Sequence, residues 1–524
     1  MRNISRVVMG AAPIMWAAMA SGVGPSVTRL PVDLPEHVDN SEVVEAQMEV
    51  FTGGITYEEY LDRQAALNAR LVEEMPQAAL QPNVVVELNQ DDLNSLINPV
   101  SVTPLQIGVV KPVSPNVQIV GLNRAQGATQ LDGGLVWALP IASPNAGAIR
   151  LHLENVSLPP NSELYFYSQD GQAFGPYTGM GPHGTGEFWT ESIFGSEGIL
   201  QLRVPRADNA TLQQISFSLT ELGHIGAQYT GQLQNTAANW PCGNPAIYTA
   251  CAQDASCHSG AASSIWNAYA KMEWIAGAFI YTCTTGLLTD NNPTQDNFSL
   301  TANHCISSNN TAQNINFYWR FRTSGCNATC PTNSGWPYQT GGGATVSATG
   351  SGGAGDFTLL HLNNGPPSGS TLLGWTNVAV ASTNGAALHR VSNPNFGPQV
   401  YSEQSVSTSA GTCNGLPRGP IIYSRDTLGG TDGGSSGSPV VNASNQVVGQ
   451  LYGACGTNTG DPCDSVSNAT IDGAFAYYWP SVCPFLDPAN CGGGGCSPAG
   501  ASCTSNSQCC SNSCKGKPGA KTCK

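Results

Sequence analysis

The stretch GGTDGGSSGSPVVN, residues 429–442, places five glycines and three serines ahead of Pro439 and then turns apolar. Two readings compete. Gly and Ser are typical of a flexible linker, yet glycines also permit backbone angles that aim successive amides inward around a nucleophile. The flanking sequence decides between them. QVVGQLYG (446–453) follows at once, and NFSLTANHC (297–305), NINFYWRFR (314–322) and GDFTLLHLNN (355–364) precede it. These are short strands separated by Gly and Asn turns, without helical periodicity, and over 237–490 they predict a barrel or a pair of barrels. Residues 429–438 are then a loop between barrel strands.

Composition narrows the partners. Only 10% of the 524 residues are charged and the formal net charge is −15, which excludes a phosphate backbone as ligand, since that is held mainly by Lys and Arg. The 18 cysteines all follow residue 241, which reads as a disulfide-bearing second half exported to an oxidising compartment. Arg2 and Arg6 precede the apolar run VVMGAAPIMWAAMA (7–20), so residues 1–20 read as a signal peptide cut after Ala20. No later segment reaches the ~18 apolar residues of a spanning helix, and no membrane association is expected after cleavage.

Between leader and barrels, TYEEYLDRQAALNARLVEEMPQ has Thr56 and Glu59 at capping-box spacing and a stop at Pro76, which predicts a helix over 56–75. From 103 to 225, runs such as AIRLHLENVSL, SELYFYSQDG and GILQLRVP alternate with Pro, Gly and Asn turns, the pattern of a β-sandwich. The aperiodic QLQNTAANWP (232–241) marks the boundary near 236. At the other end CGGGGC (491–496) opens a separate module, 491–524. Its six cysteines from Cys496 onward have the spacing C-x6-C-x5-C-C-x3-C-x8-C and come with four lysines and no acid, a charge of +4 that leaves −15 − 4 = −19 on the remainder.

A serine hydroxyl is a weak nucleophile until an imidazole removes its proton and a carboxylate orients that imidazole. In the cysteine-rich half the histidines are His258, His304, His361 and His389. His304 lies where an alternating strand runs into Cys305, Asp356 stands at the mouth of an apolar strand, and Ser436 lies in GGSSGSP. GGSSG (433–437) also fits a G-x-S-x-G nucleophile elbow centred on Ser435, but that fold needs a histidine downstream of the serine and the last is His389. There is no HExxH, and the cysteines lack metal-ligand spacing next to histidines, so neither metal nor cofactor is expected.

TANHC, GDFTLLHLNN and GGSSGSP, in the order His, Asp, Ser, resemble the chymotrypsin-like secreted serine endopeptidases, and within them the bacterial lysyl-endopeptidase branch. Asn303 departs from the family's usual alanine. The resemblance covers about 240–480 and implies two six-stranded antiparallel barrels, with His304 as general base, Asp356 as its orienting carboxylate, Ser436 as nucleophile, and the amides of Gly434 and Ser436 as oxyanion donors. Ser435 stands where animal trypsin-like enzymes carry the Asp of their activation switch, so that switch is not expected. Residues 21–236, including GTGEFWTESIFG, resemble the propeptides of such peptidases, which assist folding or block the site.

By the same resemblance the specificity pocket involves Gly430 at its base, Tyr452 at its wall, and Thr470 where lysyl endopeptidases carry an Asp. Asp472, two residues on, shares a strand face with Thr470 and is a candidate substitute. No Lys or Arg occurs between Arg206 and Lys271, so a Lys-specific enzyme could not free itself within the expected junction; either another protease matures the chain or the pocket prefers an uncharged residue, and a neutral or broad preference is the expectation. The family pattern pairs Cys283 with Cys305, sends Cys251 or Cys257 to Cys326 or Cys330, and sends Cys242 to the 455–463 region. The tail resembles an inhibitor cystine knot, which implies bridges Cys496–Cys510, Cys503–Cys514 and Cys509–Cys523 and is compatible with a polymer or cell-surface ligand. The sum is a monomeric, secreted endopeptidase acting on protein or peptide substrates. The rival from another class is a catalytically silent binding or adhesion protein on the same scaffold.

Overall fold

The structure is a computed structural model that describes residues 43–76, 83–101, 103–129, 133–230, 240–242, 249–292, 295–331, 338–413, 415–491, 514–517 and 520–523. The expected signal peptide, residues 232–239 of the junction, and Cys496, Cys503, Cys509 and Cys510 of the expected knot lie outside the described residues.

The first helix, α1 (Tyr57–Glu74), starts where Thr56 Oγ1 accepts a hydrogen bond from the Glu59 amide at 3.1 Å, satisfying a donor that the first turn leaves orphaned, and it stops before Pro76. One of its faces supplies Tyr60 to a cluster with Met272, Trp274 and Trp319, and Tyr60 stacks on Tyr338 with ring centroids 4.3 Å apart. Leu71, farther along, is buried with Tyr165 and Tyr167. The helix thus ties the two halves of the chain together.

Strands β1 (Leu105–Val120), β2 (Leu135–Ala142), β3 (Ala146–Ser157), β4 (Glu163–Tyr167), β5 (Glu197–Val204) and β6 (Ser216–Gly226) form two facing layers. One layer contains β2, β5 and β4 in that order; the other contains β3, β6 and β1. Trp137, Leu139, Leu164 and Leu200 of the first layer pack against Leu151, Leu153, Phe217 and Leu219 of the second in one core.

The second half contains β7 (Tyr269–Ala276), β8 (Phe279–Leu288), β9 (Phe298–Ala302), β10 (Asn316–Trp319), β11 (Ala344–Gly350) and β12 (Phe357–Leu362). These run β10-β7-β8-β9-β12-β11 as an open half-barrel. Then β13 (Ala387–Ser392), β14 (Val400–Val406), β15 (Ile421–Leu428), β16 (Pro439–Asn442), β17 (Gln446–Gly456) and β18 (Asn468–Ala474) close on themselves as β16-β13-β14-β15-β18-β17, a six-stranded antiparallel barrel. Helix α2 (Phe475–Leu486) follows, and its Tyr478 stacks on Phe357 with centroids 4.1 Å apart. The fold is mainly β and chymotrypsin-like.

The sandwich and the half-barrel share a sheet. Strand β1 pairs antiparallel with β8, Val109 opposite Phe279 and Gly108 opposite Ile280. Arg150 of β3 reaches Glu273 of β7 at 3.3 Å, and both side chains are almost fully removed from solvent.

Six disulfides are described: Cys242–Cys330, Cys251–Cys463, Cys257–Cys326, Cys283–Cys305, Cys413–Cys455 and Cys483–Cys491. The pairing of Cys242 corrects the expectation of a partner in 455–463. The chain enters beside the first half-barrel, where the Trp240 amide donates to Ala328 O at 3.1 Å, so Cys330 is the near sulfur and Cys251 reaches Cys463 instead. Of the tail, the described residues form a hairpin, Cys514–Lys517 against Ala520–Cys523.

Candidate active site

His304 follows the end of β9 and is bracketed by the Cys283–Cys305 bridge, which fixes the turn to β8. Asp356 precedes β12 in a left-handed conformation, φ 51°, and is 2% exposed. One carboxylate oxygen bonds His304 Nδ1 at 2.6 Å and the other accepts the His304 amide at 3.0 Å. The Asn303 amide donates to Asp356 O at 2.9 Å. Ring and carboxylate are therefore held by three bonds from two consecutive residues. With Nδ1 committed to the carboxylate, Nε2 carries the remaining lone pair or proton; it is buried and has no hydrogen-bond partner.

The second barrel props this pair from behind. Gln450 Nε2 of β17 donates to Gly355 O at 2.8 Å and Asp356 O at 3.0 Å, and Tyr478 of α2 donates to Gln450 Oε1. The turn bearing Asp356 is consequently clamped between the barrels.

Ser436 sits in the 429–438 loop, 5% exposed. Its carbonyl accepts the Thr284 amide at 2.9 Å. The next residue, Gly437 (φ 81°), lies so close to β9 that an added Cβ would stand 2.1 Å from Thr301 Oγ1 and 2.7 Å from the Ala302 amide nitrogen. That close approach sets Ser436 against the strand end carrying His304, and only glycine fits there. Ser435 points elsewhere: it is fully buried, its Oγ bonded to Ser392 Oγ at 3.0 Å. Gly434 adopts φ 93°; its carbonyl accepts from Thr284 Oγ1 at 2.9 Å, and Gly433 O accepts the Asn395 amide at 2.7 Å. A trans peptide directs its C=O and N–H to opposite sides, so the Gly434 N–H faces away from Asn395.

A pocket of about 130 Å³ opens beside Ser436, lined among others by Thr431, Gly433, Gly453, Thr470 and Asp426. Asp426 was not legible as a site residue. Thr470 Oγ1 lies 3.0 and 3.1 Å from its two oxygens, and burial pushes its carboxyl up to about 6. Cross-strand register brings the two together: Thr470 of β18 stands opposite Ser424 of β15, and Asp426 is two residues along on the same face.

Three expected pocket residues require correction or refinement. Asp472 does share a strand face with Thr470, but that face runs from the pocket into the barrel interior. There Asp472 is fully buried and paired with Arg390 at 2.6 Å, so it does not line the pocket. Tyr452 stands beside the His304 ring, centroids 5.9 Å apart, rather than at the pocket wall. Gly430 lies behind the lining, where an added Cβ would be 3.8 Å from Asp426 Oδ2 and 3.4 Å from Cys251 Sγ. Thr103, from the N-terminal half, also lines the pocket.

Comparison with known proteins adds the following. Residues 248–466 match the family model described as lysyl endopeptidase, C-terminal domain, and residues 78–226 match that of the lysyl endopeptidase N-terminal domain. A lysyl endopeptidase of Pseudomonas aeruginosa is 27% identical over 385 residues, covering 70% of this chain and 79% of that protein. Among solved structures, an HtrA-type protease with a tripeptide is similar at 14% identity and a TM-score of 0.31, over 44% of this chain and 64% of that one. The active form of a protease from M. tuberculosis is similar at 15% identity and a TM-score of 0.30, over 50% and 94%.

Proposed function

We propose that the chain, whose two halves match the lysyl endopeptidase C-terminal and N-terminal domain models, is a serine endopeptidase of that family and cleaves peptide bonds through Ser436, His304 and Asp356 by way of an acyl-enzyme. Ser436 Oγ attacks the scissile carbonyl while His304 Nε2 takes its proton. The imidazolium then donates that proton to the departing amine, and water, deprotonated by the same nitrogen, releases the acyl group. Asp356 holds the imidazole by Nδ1 and stabilises its charged form. The Gly434 and Ser436 amides receive the developing oxyanion. The observation that carries this reading is the His304–Asp356 pair, bonded at 2.6 Å through Nδ1, with Nε2 left unpartnered.

We further propose that the pocket takes Lys or Arg at P1. A half-desolvated carboxylate lining a pocket beside the nucleophile is better matched to a cation than to an apolar side chain. This replaces the neutral or broad preference expected from the window between Arg206 and Lys271; on this reading another protease cuts that window. The N-terminal half is the propeptide of an exported preproprotein, and Thr103 at the pocket supports a blocking role.

The test is labelling of the secreted protein with a fluorophosphonate, the adduct mapped by peptide mass spectrometry. A single adduct on Ser436, lost in Ser436→Ala, is expected. Mature protein that neither labels nor cleaves peptide amides overturns the reading in favour of a silent binding scaffold.

A further inference from the structure

Lys271 of β7 is fully buried, and no step of the proposed chemistry uses it. Its Nζ donates to Phe396 O at 2.8 Å, and burial holds the amine well below the usual lysine range. Around it stand the rings of Phe396, Phe321, Tyr318 and Phe194, their centroids 3.5, 3.7, 4.8 and 5.8 Å from Nζ. The nearest carboxylate on its strand, Glu273, is engaged by Arg150, Ser192 and Tyr318. A lysine desolvated among aromatic faces is costly unless its charge and its donors are used.

We propose that Lys271 is a positioning residue: by holding the Phe396 carbonyl it locks the 393–397 turn, and that turn sets the Gly433–Gly434 peptide beside Ser436. The inference rests on the serine-endopeptidase reading of the same site.

The links are short. Asn395 and Phe396 both have left-handed backbones, φ 53° and 59°, in two consecutive non-glycine residues. Each such residue is strained and persists only when its surroundings over-determine it. Here they do: Lys271 holds Phe396 O, Asn393 Nδ2 holds Gly397 O at 3.0 Å, and the Asn393 amide bonds Thr284 Oγ1 at 3.0 Å. The strained turn then presents the Asn395 amide to Gly433 O at 2.7 Å and its side chain to Asp432 at 3.3 Å. Without the Nζ donor the Phe396 carbonyl would be buried unpaired, the turn would relax to ordinary angles, and the Asn395 amide would leave Gly433 O. The 433–434 peptide could then rotate and carry the Gly434 N–H away from the developing oxyanion. A fixed internal donor would thus do, from a neighbouring strand, a positioning task that Ser435, itself bonded to Ser392, does not perform. Phe194 belongs to the N-terminal half, so one wall of the cage comes from the propeptide.

The experiment expresses the full chain with Lys271→Met or Lys271→Gln and assays the secreted product. Lysyl peptide anilide turnover, the rate of fluorophosphonate labelling at Ser436, and competitive inhibition by benzamidine are measured together. Benzamidine reads the pocket and the fold without needing the oxyanion donors. Deleting an oxyanion donor outright costs about 10²–10³ in kcat, so loosening one is expected to lower kcat and labelling by about 10- to 100-fold in Lys271→Met, with KM and benzamidine inhibition within about 3-fold. Gln keeps a donor for Phe396 O and should lie between Met and the parent. If Met proves unable to fold, the Gln variant alone carries the test through the same split between kcat and benzamidine.

A purely structural lysine predicts the opposite, because methionine in an aromatic cage often stabilises. Parent-like kcat and labelling in either folded variant overturn the inference and leave the serine reading intact. Absence of labelling in the parent overturns the serine reading itself.

Discussion

Replacing Asp426 by Asn isolates the charge in the pocket, since the amide keeps the size of the side chain and one bond to Thr470 Oγ1. Removing one partner of a desolvated charge pair costs about 2–5 kcal/mol, or about 30- to 5,000-fold. At pH 8, kcat/KM for a lysyl anilide should fall by that range, while an otherwise identical norleucyl substrate should hold or improve. The free enzyme supplies a second magnitude. Burial raises the Asp426 carboxyl from 3.8 to about 6, so its ionised form costs the empty enzyme stability above pH 6, a cost absent below about pH 4. The shift corresponds to at most about 3 kcal/mol, and ligand-free Asp426→Asn should melt higher than the parent at pH 8 but not at pH 4.

The same carboxyl predicts a pH signature. A bound cation favours the carboxylate, so KM for the lysyl substrate should rise as pH falls through about 6, and the norleucyl KM should not. Peptide anilide kinetics across pH 5–9, with differential scanning fluorimetry alongside, measure all of this. Equal losses for lysyl and norleucyl substrates in Asp426→Asn would refute the reasoning, because the carboxylate would then act through folding rather than by pairing with P1.

His224 is buried in β6 with Nδ1 bonded to Ser143 Oγ at 2.8 Å, and burial pushes its ring down to about 4. The neutral form is the folded one, so its contribution is full above about pH 6.5 and is lost towards pH 4, up to about 3 kcal/mol; thermal melts of the full chain should show a shallower acid slope in His224→Gln than in the parent. Gly437→Ala would drive a methyl into Thr301 Oγ1 at 2.1 Å at a positive φ, and is expected to cost about 3 kcal/mol or more, read as loss of secreted, folded protein.

What was legible in the chain is what depends on neighbours in sequence. Thr56 caps α1 because its partner amide is three residues away. His304, Asp356 and Ser436 stand out because each has a strand end or a glycine loop beside it. The pocket acid was hidden because its meaning comes from register: Asp426 acquires Thr470 only when β15 and β18 align, and nothing near residue 426 signals it. The same alternation that correctly put Thr470 and Asp472 on one face could not tell which end of that face is mouth and which is core, and Arg390, 82 residues from Asp472, decides it. Cys242 found Cys330 for a similar reason, since the path of the chain, not the spacing of the cysteines, brings them together.

The shared sheet bears on activation. The Lys- and Arg-free window includes β6, which lies between β3 and β1, so a cut before residue 216 would split the sandwich and one after 226 would spare it. Yet no single cut in that window undoes what holds the halves together. Strand β1 stays zipped to β8, and Arg150 stays on Glu273, a buried pair whose separation strands a charge at about 3–5 kcal/mol. Ile107, Phe194 and Ile225 stay packed on Ile280, Tyr318 and Phe396. Thr103 stays in the pocket lining. A chain nicked there would therefore stay a tightly associated complex, with Thr103 still beside the pocket. If, as we propose, the N-terminal half is a propeptide, release of the site would require the sandwich to be digested or unfolded in place, and the stability of that half, rather than the scissile bond alone, would determine when activity appears.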